Sequence, residues 1–407
     1  MYGLLNIMHI REHMSVRIYE QDAYVFEFEG TVTSVDKEWI VLDVTAFYPG
    51  GGGQVSDLGR ICNLDVTEVK SKGDDICHKV PGHSMKAGNK VWCSVDWERR
   101  YDLMMGHTAE HLLFSGLKRE MPDIGIVKIF ISPESKYVVV DRDVDWDVIA
   151  RAQNFVNDAI MEDLSVTKMT MTKDDLVSEN IRAKTERIDG EFVTVVEIGD
   201  ADTAACSGIH VRETGEIGAL IVDRKVSAGK DGYAIHFRVN KDAVARSMEL
   251  ANRCLQINDI LGTRTDDVVK AVSNMKHDIE TGTKQIRSLT KELLNNMRPK
   301  NIGGVAVHSG IFETNDKNAV TEAAERIKNS GGVAVLITSG ETLSVIMSSG
   351  AKGVNCSDIL KQAMADAGGR GGGKNDFAQG GVPDVSKTES IMENILRMLE
   401  RTLKQEN

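Results

Sequence analysis

The pattern of apolar and polar positions changes three times along the chain, and each change predicts a different kind of structure. Within residues 15–100, short runs rich in β-branched and aromatic side chains (VRIYE, YVFEFEGTVTSV and WIVLDVTAFY) alternate with glycine clusters. Such runs are typical of strands joined by turns. This region is therefore predicted to form a small β-barrel.

The spacing becomes helical from Trp97 onward, in the stretch DWERRYDLMMGHTAEHLLFSGLKREM. The residues that fall near one face of this helix are Leu103, His107, His111 and Phe114. Strand-like runs, KIFIS and YVVVD, then alternate with the helical VIARAQNFVNDAIME. This combination predicts an α+β domain that extends to about Asn240.

A heptad pattern follows, with apolar residues at alternating spacings of four and three over roughly three to four repeats. Its positions are Val268, Val272, Met275, Ile279, Gly282, Ile286, Leu289 and Leu293. Gly282 weakens the seam, and Pro299 ends the helix. The sequence leaves two interpretations open: a long amphipathic helix packed on its own domain, or a coiled coil that joins two chains as a homodimer.

The last segment alternates strands (GGVAVHSGIF, GGVAVLITS and LSVIMSS) with helices, and contains the glycine-rich stretch GGRGGGKNDFAQGG. It predicts a separate α/β domain. The whole chain is thus predicted to be an α+β multidomain protein. Its predicted parts are a barrel at 1–100, an α+β domain at 101–240, a helical linker at 241–298 and an α/β domain at 299–407.

Composition limits the classes of protein. No stretch approaches the roughly 20 apolar residues that span a bilayer, and the N-terminus lacks the features of a signal peptide. Six scattered cysteines are typical of thiols in a cytosolic protein. We therefore expect a cytoplasmic protein that starts at Met1, Met8 or Met14. With a net charge of −12, contact with nucleic acid would require a local basic patch.

Two residue pairs carry the candidate chemistry. His107 and His111 lie four residues apart, on one face of the predicted helix. Cys206 and His210 repeat that spacing far downstream. Either pair alone is a weak signal, but three imidazoles and one thiol form a set suited to tetrahedral zinc. We predict one Zn²⁺ per chain, bound by all four side chains.

An alternative involves the first pair alone. His107-Thr108-Ala109-Glu110-His111 also fits H-x-x-E-H, the inverted zinc-peptidase signature, in which the glutamate is the general base. That pattern does not require Cys206 or His210. Outside the peptidase hypothesis, Glu110 is expected to be a solvated helix residue.

The glycine-rich segment after Thr45 is a second candidate. Its glycines at 50–53 allow positive φ and close approach of backbone N–H groups to a ligand. Thr45 and Gln54 would supply a hydroxyl and an amide beside them. Taken alone, the segment would be interpreted as a flexible hairpin tip.

The order of these motifs resembles the editing domain of alanyl-tRNA synthetase and its free-standing relatives, the AlaX proteins. The matching stretches are Gly51–Gln54 (GGGQ), Asp96–Arg100 (DWERR), His107–Leu113 (HTAEHLL) and Cys206–Gly218. The stretch from Gly368 to Gly381 resembles the signature of the DHH-associated domain at the synthetase C-terminus. With the predicted coil, the chain looks like the long AlaX form.

The resemblance implies a zinc-dependent aminoacyl-tRNA deacylase whose partner is tRNA(Ala) mischarged with serine or glycine. It also implies roles for residues of this chain. Gln54 would orient the water or the carbonyl, Thr45 would contact the serine hydroxyl, and the backbone of Gly51, Gly52 and Gly53 would line the substrate pocket. Arg370 and Lys374 would contact the tRNA.

One motif differs from the family pattern, and other functions are also considered. Ser207-Gly208-Ile209 stands where the family usually has Gly-Gly-Thr, so Ile209 receives no role. Only about 15 residues precede the first predicted strands, so activation of alanine is not expected. A non-catalytic tRNA-binding protein is a further alternative. A phosphoesterase would require a catalytic Asp-His-His triplet, which the sequence lacks.

Overall fold

The computed structural model describes residues 15–179, 181–183, 191–314, 316–340, 342–365 and 367–405. The three candidate start residues, Met1, Met8 and Met14, lie outside the described residues. The chain divides into two compact units, Met1–Gln256 and Ile257–Asn407. Among the described residues, no helix is both long enough and apolar enough to cross a membrane.

The first part of unit one is mostly strand. Its elements are β1 (Val16–Arg17), α1 (Ile18–Gln21), β2 (Glu27–Asp36), β3 (Trp39–Leu42), β4 (Val44–Thr45), β5 (Gly59–Ile61), β6 (Leu64–Val66), β7 (Glu68–Lys72), β8 (Asp75–Lys79) and β9 (Lys90–Val95). Seven of the strands form a barrel-like antiparallel sheet in the order β6-β5-β9-β2-β3-β8-β7. The strand predicted from VRIYE is wrong over most of its length, because Ile18–Gln21 is helical and Tyr19 packs edge-on against Tyr48.

The interior of this sheet follows the two-residue period of its strands. On β2, Phe28 and Val32 point inward while Glu27 and Glu29 remain exposed. The inward side chains join those of β3, β5, β8 and β9 in one apolar core. Thr45 and His78 are fully buried polar groups of this region.

The second part of unit one contains the long helix and two further sheets. Its elements are α2 (Trp97–Glu120), β10 (Ile126–Ile131), β11 (Lys136–Val140), α3 (Trp146–Glu162), β12 (Val166–Thr172), α4 (Lys173–Ser178), β13 (Phe192–Ile198), β14 (Asp202–Ala205), β15 (Leu220–Ser227), β16 (Tyr233–Val239) and most of α5 (Asn240–Leu261), which continues into unit two. One antiparallel sheet has the order β10-β11-β16-β15, and the other has the order β12-β13-β14.

Helix α2 is the central element of unit one. The Asp96 side chain caps its N-terminus by accepting a hydrogen bond from the backbone N–H of Arg99. Almost every residue from Leu103 to Leu117 is buried, and α2 shares a core with α3 and one face of the four-stranded sheet. Because α2 is packed on nearly all sides, it holds the side chains of its interior turns in fixed positions.

A buried ion pair ties α2 to the barrel-like sheet. The side chains of Arg100 and Asp57 are both fully buried. The Arg100 guanidinium donates to the Asp57 carboxylate and to the carbonyl oxygens of Ala23 and Ala46. The same carboxylate accepts the N–H of Tyr48 at 2.6 Å. Both charges are thus satisfied inside the protein, as burial requires.

Unit two is a sheet between two layers of helices. Its elements are α6 (Val268–Asn295), β17 (Lys300–Ile302), β18 (Val305–Phe312), α7 (Lys317–Asn329), β19 (Val333–Ser339), β20 (Leu343–Ser349), α8 (Cys356–Ala365), β21 (Arg370–Gly373), β22 (Phe377–Val382) and α9 (Thr388–Gln405). The sheet order is β17-β18-β19-β20-β22-β21. On β19, Val333 and Val335 pack with α8 and α9, whereas Ala334 and Leu336 face α7. The predicted α/β character is confirmed.

The heptad seam lies on α6. This helix spans 28 residues, and its buried side chains, Thr290 and Leu294, lie off the seam. Six of the eight seam residues are exposed, including Ile279 (63%), Ile286 (55%) and Leu293 (61%). Among the described residues, the seam is therefore not packed against its own domain. The homodimeric coiled coil stays a prediction.

Candidate metal centre and adjoining cleft

The four side chains predicted to bind zinc lie together. His107 and His111 come from consecutive turns of α2, and Cys206 and His210 come from the segment after β14. One potential ligand atom of each lies within 4.8 Å of the others. The Cys206 sulfur lies 3.5 Å from Nε2 of His107 and 3.4 Å from Nε2 of His210. A tetrahedral zinc with ordinary bond lengths would place sulfur and nitrogen about 3.5 Å apart, so the donors fit this metal.

Gly208 allows the two segments to approach. A Cβ atom built on this residue would lie 2.2 Å from Cε1 of the His107 ring. That separation is far below van der Waals contact, and the ring would have to move. The absence of a side chain at Gly208 therefore allows Cys206 and His210 to lie close to α2.

Each imidazole has a hydrogen-bond partner on its Nδ1 atom. Nδ1 of His107 bonds to Oε1 of Gln54 at 2.8 Å. Nδ1 of His111 bonds to Oδ2 of Asp202 at 2.9 Å, and Nδ1 of His210 bonds to Oγ1 of Thr108 at 3.1 Å. Such bonds fix ring orientation and tautomer, and leave Nε2 for a metal.

Two of the four side chains, Cys206 and His210, have pKa shifts in the direction that metal binding requires. Burial opposes ionisation of the Cys206 thiol, but the nearby His107 and His210 hold its pKa well below the ordinary value. Burial, together with the charge of His107, lowers the pKa of His210 to about 3. A thiolate beside a neutral imidazole is the donor combination that zinc prefers. Burial opposes protonation of His111, but its hydrogen bonds to Asp202 and Cys206 raise the pKa of this ring to about 10, so a metal would have to displace its proton.

The glycine-rich segment adopts the conformation that its sequence predicts. Residues 50–53 all have positive φ, between 60° and 144°. Gly53 packs so closely on β10 that a Cβ atom would lie 2.5 Å from the carbonyl oxygen of Ile129. Gly51 is held by mutual backbone hydrogen bonds with Gln54. Among the described hydrogen bonds, none uses the N–H groups of Gly52 and Gly53.

A cleft of about 1430 Å³ opens beside the cluster. Its lining includes Gly52, Gly53, His107, His111 and Cys206. Further along the same face of α2 lie Phe114 and Lys118. Lys118, Lys128 and Arg182 contribute positive charge, and Asp231 is the only carboxylate among the described lining residues. The cleft is therefore locally basic although the chain is acidic.

Thr45 is not brought to the cluster. It is fully buried in the barrel-like sheet and is not among the residues that line the cleft. Its hydroxyl lies 2.9 Å from Nε2 of His78 and accepts the backbone N–H of Phe47 at 3.1 Å. Burial lowers the pKa of His78 to about 4, so the neutral ring can accept the hydroxyl proton. The contact with a serine substrate stays a prediction.

Replacing Thr45 with valine is expected to destabilise unit one by about 1–3 kcal/mol. The reason is that Nε2 of His78 and the backbone N–H of Phe47 lose their hydrogen-bond partner. Urea unfolding followed by tryptophan fluorescence would measure the loss. Thr170, which is exposed on β12, provides the matched control, and T170V should change stability by less than about 0.5 kcal/mol. If T45V instead keeps full stability and loses its preference for seryl- over alanyl-tRNA, Thr45 recognises the substrate.

Several residues of the site were missed by sequence reasoning. Asp202 and Thr108 orient two of the rings, and Arg182 donates to Asp202 at 2.6 Å. Glu110 was expected to be solvated, and this is wrong. Its carboxylate is fully buried and has no hydrogen-bond partner among the described residues, and burial raises its pKa. Because His107 and His111 face the cluster, Glu110 on the same turns is carried into the interior with them.

The residues predicted to contact tRNA lie in unit two. The stretch that contains them is a hairpin formed by β21 and β22. Arg370 begins β21, and Lys374 is in the turn, where its N–H donates to the Phe377 carbonyl at 2.7 Å. Both side chains are exposed, and they are available to a polyanion.

Three protein families match separate parts of the chain. They are described as "tRNA synthetases class II (A)" at residues 12–99, "Threonyl and Alanyl tRNA synthetase second additional domain" at residues 193–231, and "DHHA1 domain" at residues 303–405. Together with the fold and the cluster, these matches show that the chain resembles the editing and C-terminal regions of alanyl-tRNA synthetases.

Sequence identity to individual proteins makes this similarity more specific. The chain is 29% identical to alanyl-tRNA editing protein AlaX-L of Pyrococcus horikoshii, over 95% of its own length and 98% of that protein. It is also 29% identical to the alanine–tRNA ligase of Methanoregula boonei and 30% identical to that of Pyrobaculum calidifontis, but spans only 42% and 44% of those longer proteins. The resemblance to the long AlaX form is confirmed along nearly the whole chain.

Proposed function

We propose that the chain hydrolyses the ester bond of tRNA(Ala) mischarged with serine or glycine. The observation that carries the proposal is a buried cluster of three histidines and one cysteine at the end of a basic cleft. In this reaction the bond between the carbonyl carbon and the ribose oxygen breaks. Water supplies a hydroxyl to the carbonyl carbon and a proton to the ribose oxygen, so free amino acid and intact tRNA are released.

His107, His111, Cys206 and His210 would hold the zinc. When bound there, zinc would polarise the ester carbonyl, activate water, or anchor the adenosine or the amino group of the substrate. Gln54, Asp202 and Thr108 keep the three rings in place. The proposal of one Zn²⁺ per chain is supported by the nitrogen and sulfur donors, their spacing and the low pKa of Cys206.

The backbone of the glycine segment is suited to the reacting carbonyl. Gly52 lies beside His107, both glycines line the cleft, and their N–H groups donate to none of the described acceptors. Fixed N–H donors of this kind stabilise the negative charge that develops on a carbonyl oxygen during hydrolysis. Gln54 follows directly and orients His107 against the same space.

The substrate follows from what a synthetase pocket for alanine can discriminate. Such a pocket cannot strongly exclude the smaller glycine, and an added hydroxyl gives only limited discrimination, so a second sieve is needed. Lys118, Lys128 and Arg182 in the cleft suit the phosphates at the tRNA end. The partner we propose is therefore a mischarged tRNA(Ala).

The test is release of amino acid from seryl-, glycyl- and alanyl-tRNA(Ala), with and without a chelator. We expect release from the first two, with little from alanyl-tRNA, and loss of activity after metal removal that added Zn²⁺ restores. Absence of release from all three, with zinc present, would contradict the proposal. Binding of tRNA without release would favour the non-catalytic alternative.

We also propose that the β21–β22 hairpin binds the tRNA body. Replacing Arg370 and Lys374 together with alanine should weaken tRNA binding and lower its salt dependence by about one unit of slope for each phosphate that is no longer neutralised. A filter-binding titration at several salt concentrations would measure both. The control is R397A/R401A, which removes the same charge from exposed positions of α9. Equal losses in the two double variants would show a general charge effect and contradict the proposal.

A further inference from the structure

A row of aromatic rings crosses the open face of the four-stranded sheet. Phe130 of β10 pairs with Tyr137 of β11, and Tyr137 pairs with His236 of β16. The Phe130 and Tyr137 rings are stacked, with centroids 5.3 Å apart, and the Tyr137 and His236 centroids are 4.8 Å apart. All three side chains are partly exposed. We call this set the aromatic row.

The aromatic row lies on the face of the sheet opposite to the core. The neighbouring residue Val138 and its partner Ile235 point the other way and are fully buried with α2 and α3. Tyr137 and His236 therefore do not serve the core of the unit. They instead line the same cleft that His107, His111 and Cys206 line.

A cation lies at each end of the aromatic row, and the Asp223 carboxylate also lies near His236. The Lys128 ammonium lies 5.9 Å from the centroid of the Phe130 ring. At the other end, Arg224 donates to Nδ1 of His236 at 3.2 Å. Burial and the charge of Arg224 lower the pKa of His236, so this ring is available as a neutral stacking surface.

The cleft is large enough for a ligand bigger than a single small molecule. Sites for a single small molecule are typically about 300–1,000 Å³, whereas this cleft has about 1430 Å³. Its lining includes the metal cluster, edge strand β10 and two members of the aromatic row, Tyr137 and His236. Aromatic side chains with flanking cations are the surface on which unpaired nucleotides stack.

We propose that the aromatic row binds the unpaired nucleotides that precede the terminal adenosine, when that adenosine lies at the metal cluster. This inference rests on the proposed function, because it takes the aminoacylated tRNA end as the substrate. Tyr137 is the central ring and stacks on a base, and Lys128 and Arg224 contact the adjoining phosphates. The aromatic row thus adds affinity for the RNA strand without touching the ester.

The test compares substrates of different length. For the wild-type protein, KM should fall when seryl-adenosine is extended to a seryl-CpCpA trinucleotide. In Y137A that gain should be lost, because alanine substitution of a stacking ring weakens binding about 5- to 100-fold. Y137F should keep the gain. The control W92A removes an exposed aromatic side chain that does not line the cleft and should also keep it.

A direct binding measurement separates this inference from the proposed function. Uncharged CpCpA should bind to the wild-type protein and to Y137F, and at least about 5-fold more weakly to Y137A, as followed by calorimetry. If no aminoacyl-tRNA is hydrolysed but Y137A still weakens CpCpA binding, the proposed function fails and the aromatic row stands. If Y137A keeps both the wild-type KM gain and the wild-type CpCpA affinity, the inference is overturned.

Discussion

Replacing Cys206 with alanine is expected to lower hydrolysis of seryl-tRNA(Ala) by about 100-fold or more and to leave the purified protein without stoichiometric zinc. Loss of a residue that only orients a metal ligand already costs about 10- to 100-fold, and Cys206 is a proposed ligand. It also supplies the only sulfur in the cluster, and its thiol has a pKa well below the ordinary value. Metal analysis and single-turnover deacylation would measure the two effects.

The control for this variant is C62A. Cys62 is exposed in the turn between β5 and β6 and lies outside the cluster, so C62A should keep both zinc and activity. Circular dichroism would show whether C206A is still folded. A folded C206A that retains one zinc per chain would contradict four-residue coordination and favour the H-x-x-E-H peptidase alternative, which uses His107, His111 and Glu110.

Replacing Arg100 with methionine is expected to destabilise unit one by about 3–5 kcal/mol, the typical cost of breaking a buried ion pair by removing one partner. Asp57 would remain charged and buried, and the carbonyl oxygens of Ala23 and Ala46 would lose their donor. Urea unfolding followed by fluorescence isolates the effect, because all four tryptophans of the chain belong to unit one.

Two further variants make this test specific. Arg60 forms an exposed ion pair with Asp65 on the same sheet, and R60M should cost less than about 1 kcal/mol. In R100M/D57N the uncompensated charge is removed, so part of the lost stability should return. A loss in R100M no larger than that in R60M would show that the buried pair does not join α2 to the sheet.

The two pairs of proposed metal ligands could be recognised in the sequence because the spacing within each pair is local. Residues four apart on a helix share a face whatever surrounds them, so His107 and His111 could be paired from sequence alone. Cys206 and His210 pointed to a metal site only together with the first pair, because tetrahedral zinc requires four donors. The orienting residues could not be found in this way, because Gln54 and Asp202 lie 53 and 91 residues from the rings that they contact.

The sequence does not show the direction in which a polar residue points. The sequence does not show that Thr45 faces His78 inside the sheet rather than the cleft, since a strand offers two faces and the turn after it sets the choice. Glu110 was misjudged because α2 is buried on nearly every side, whereas its sequence is rich enough in charge to suggest a solvated face. In VRIYE, β-branched composition favoured a strand, but packing of Tyr19 on Tyr48 accompanies a helical turn.

The edges of the six-stranded sheet in unit two bear on the solubility of the protein. An edge strand presents a row of unpaired backbone groups and can template the addition of a strand from another molecule. Here one edge, β17, is three residues long and begins with a lysine. The other edge, β21, is Arg-Gly-Gly-Gly, and such a glycine run has little tendency to extend a sheet. The glycine-rich strand can therefore leave its amides open to a polyanion while resisting aggregation with other copies of the chain.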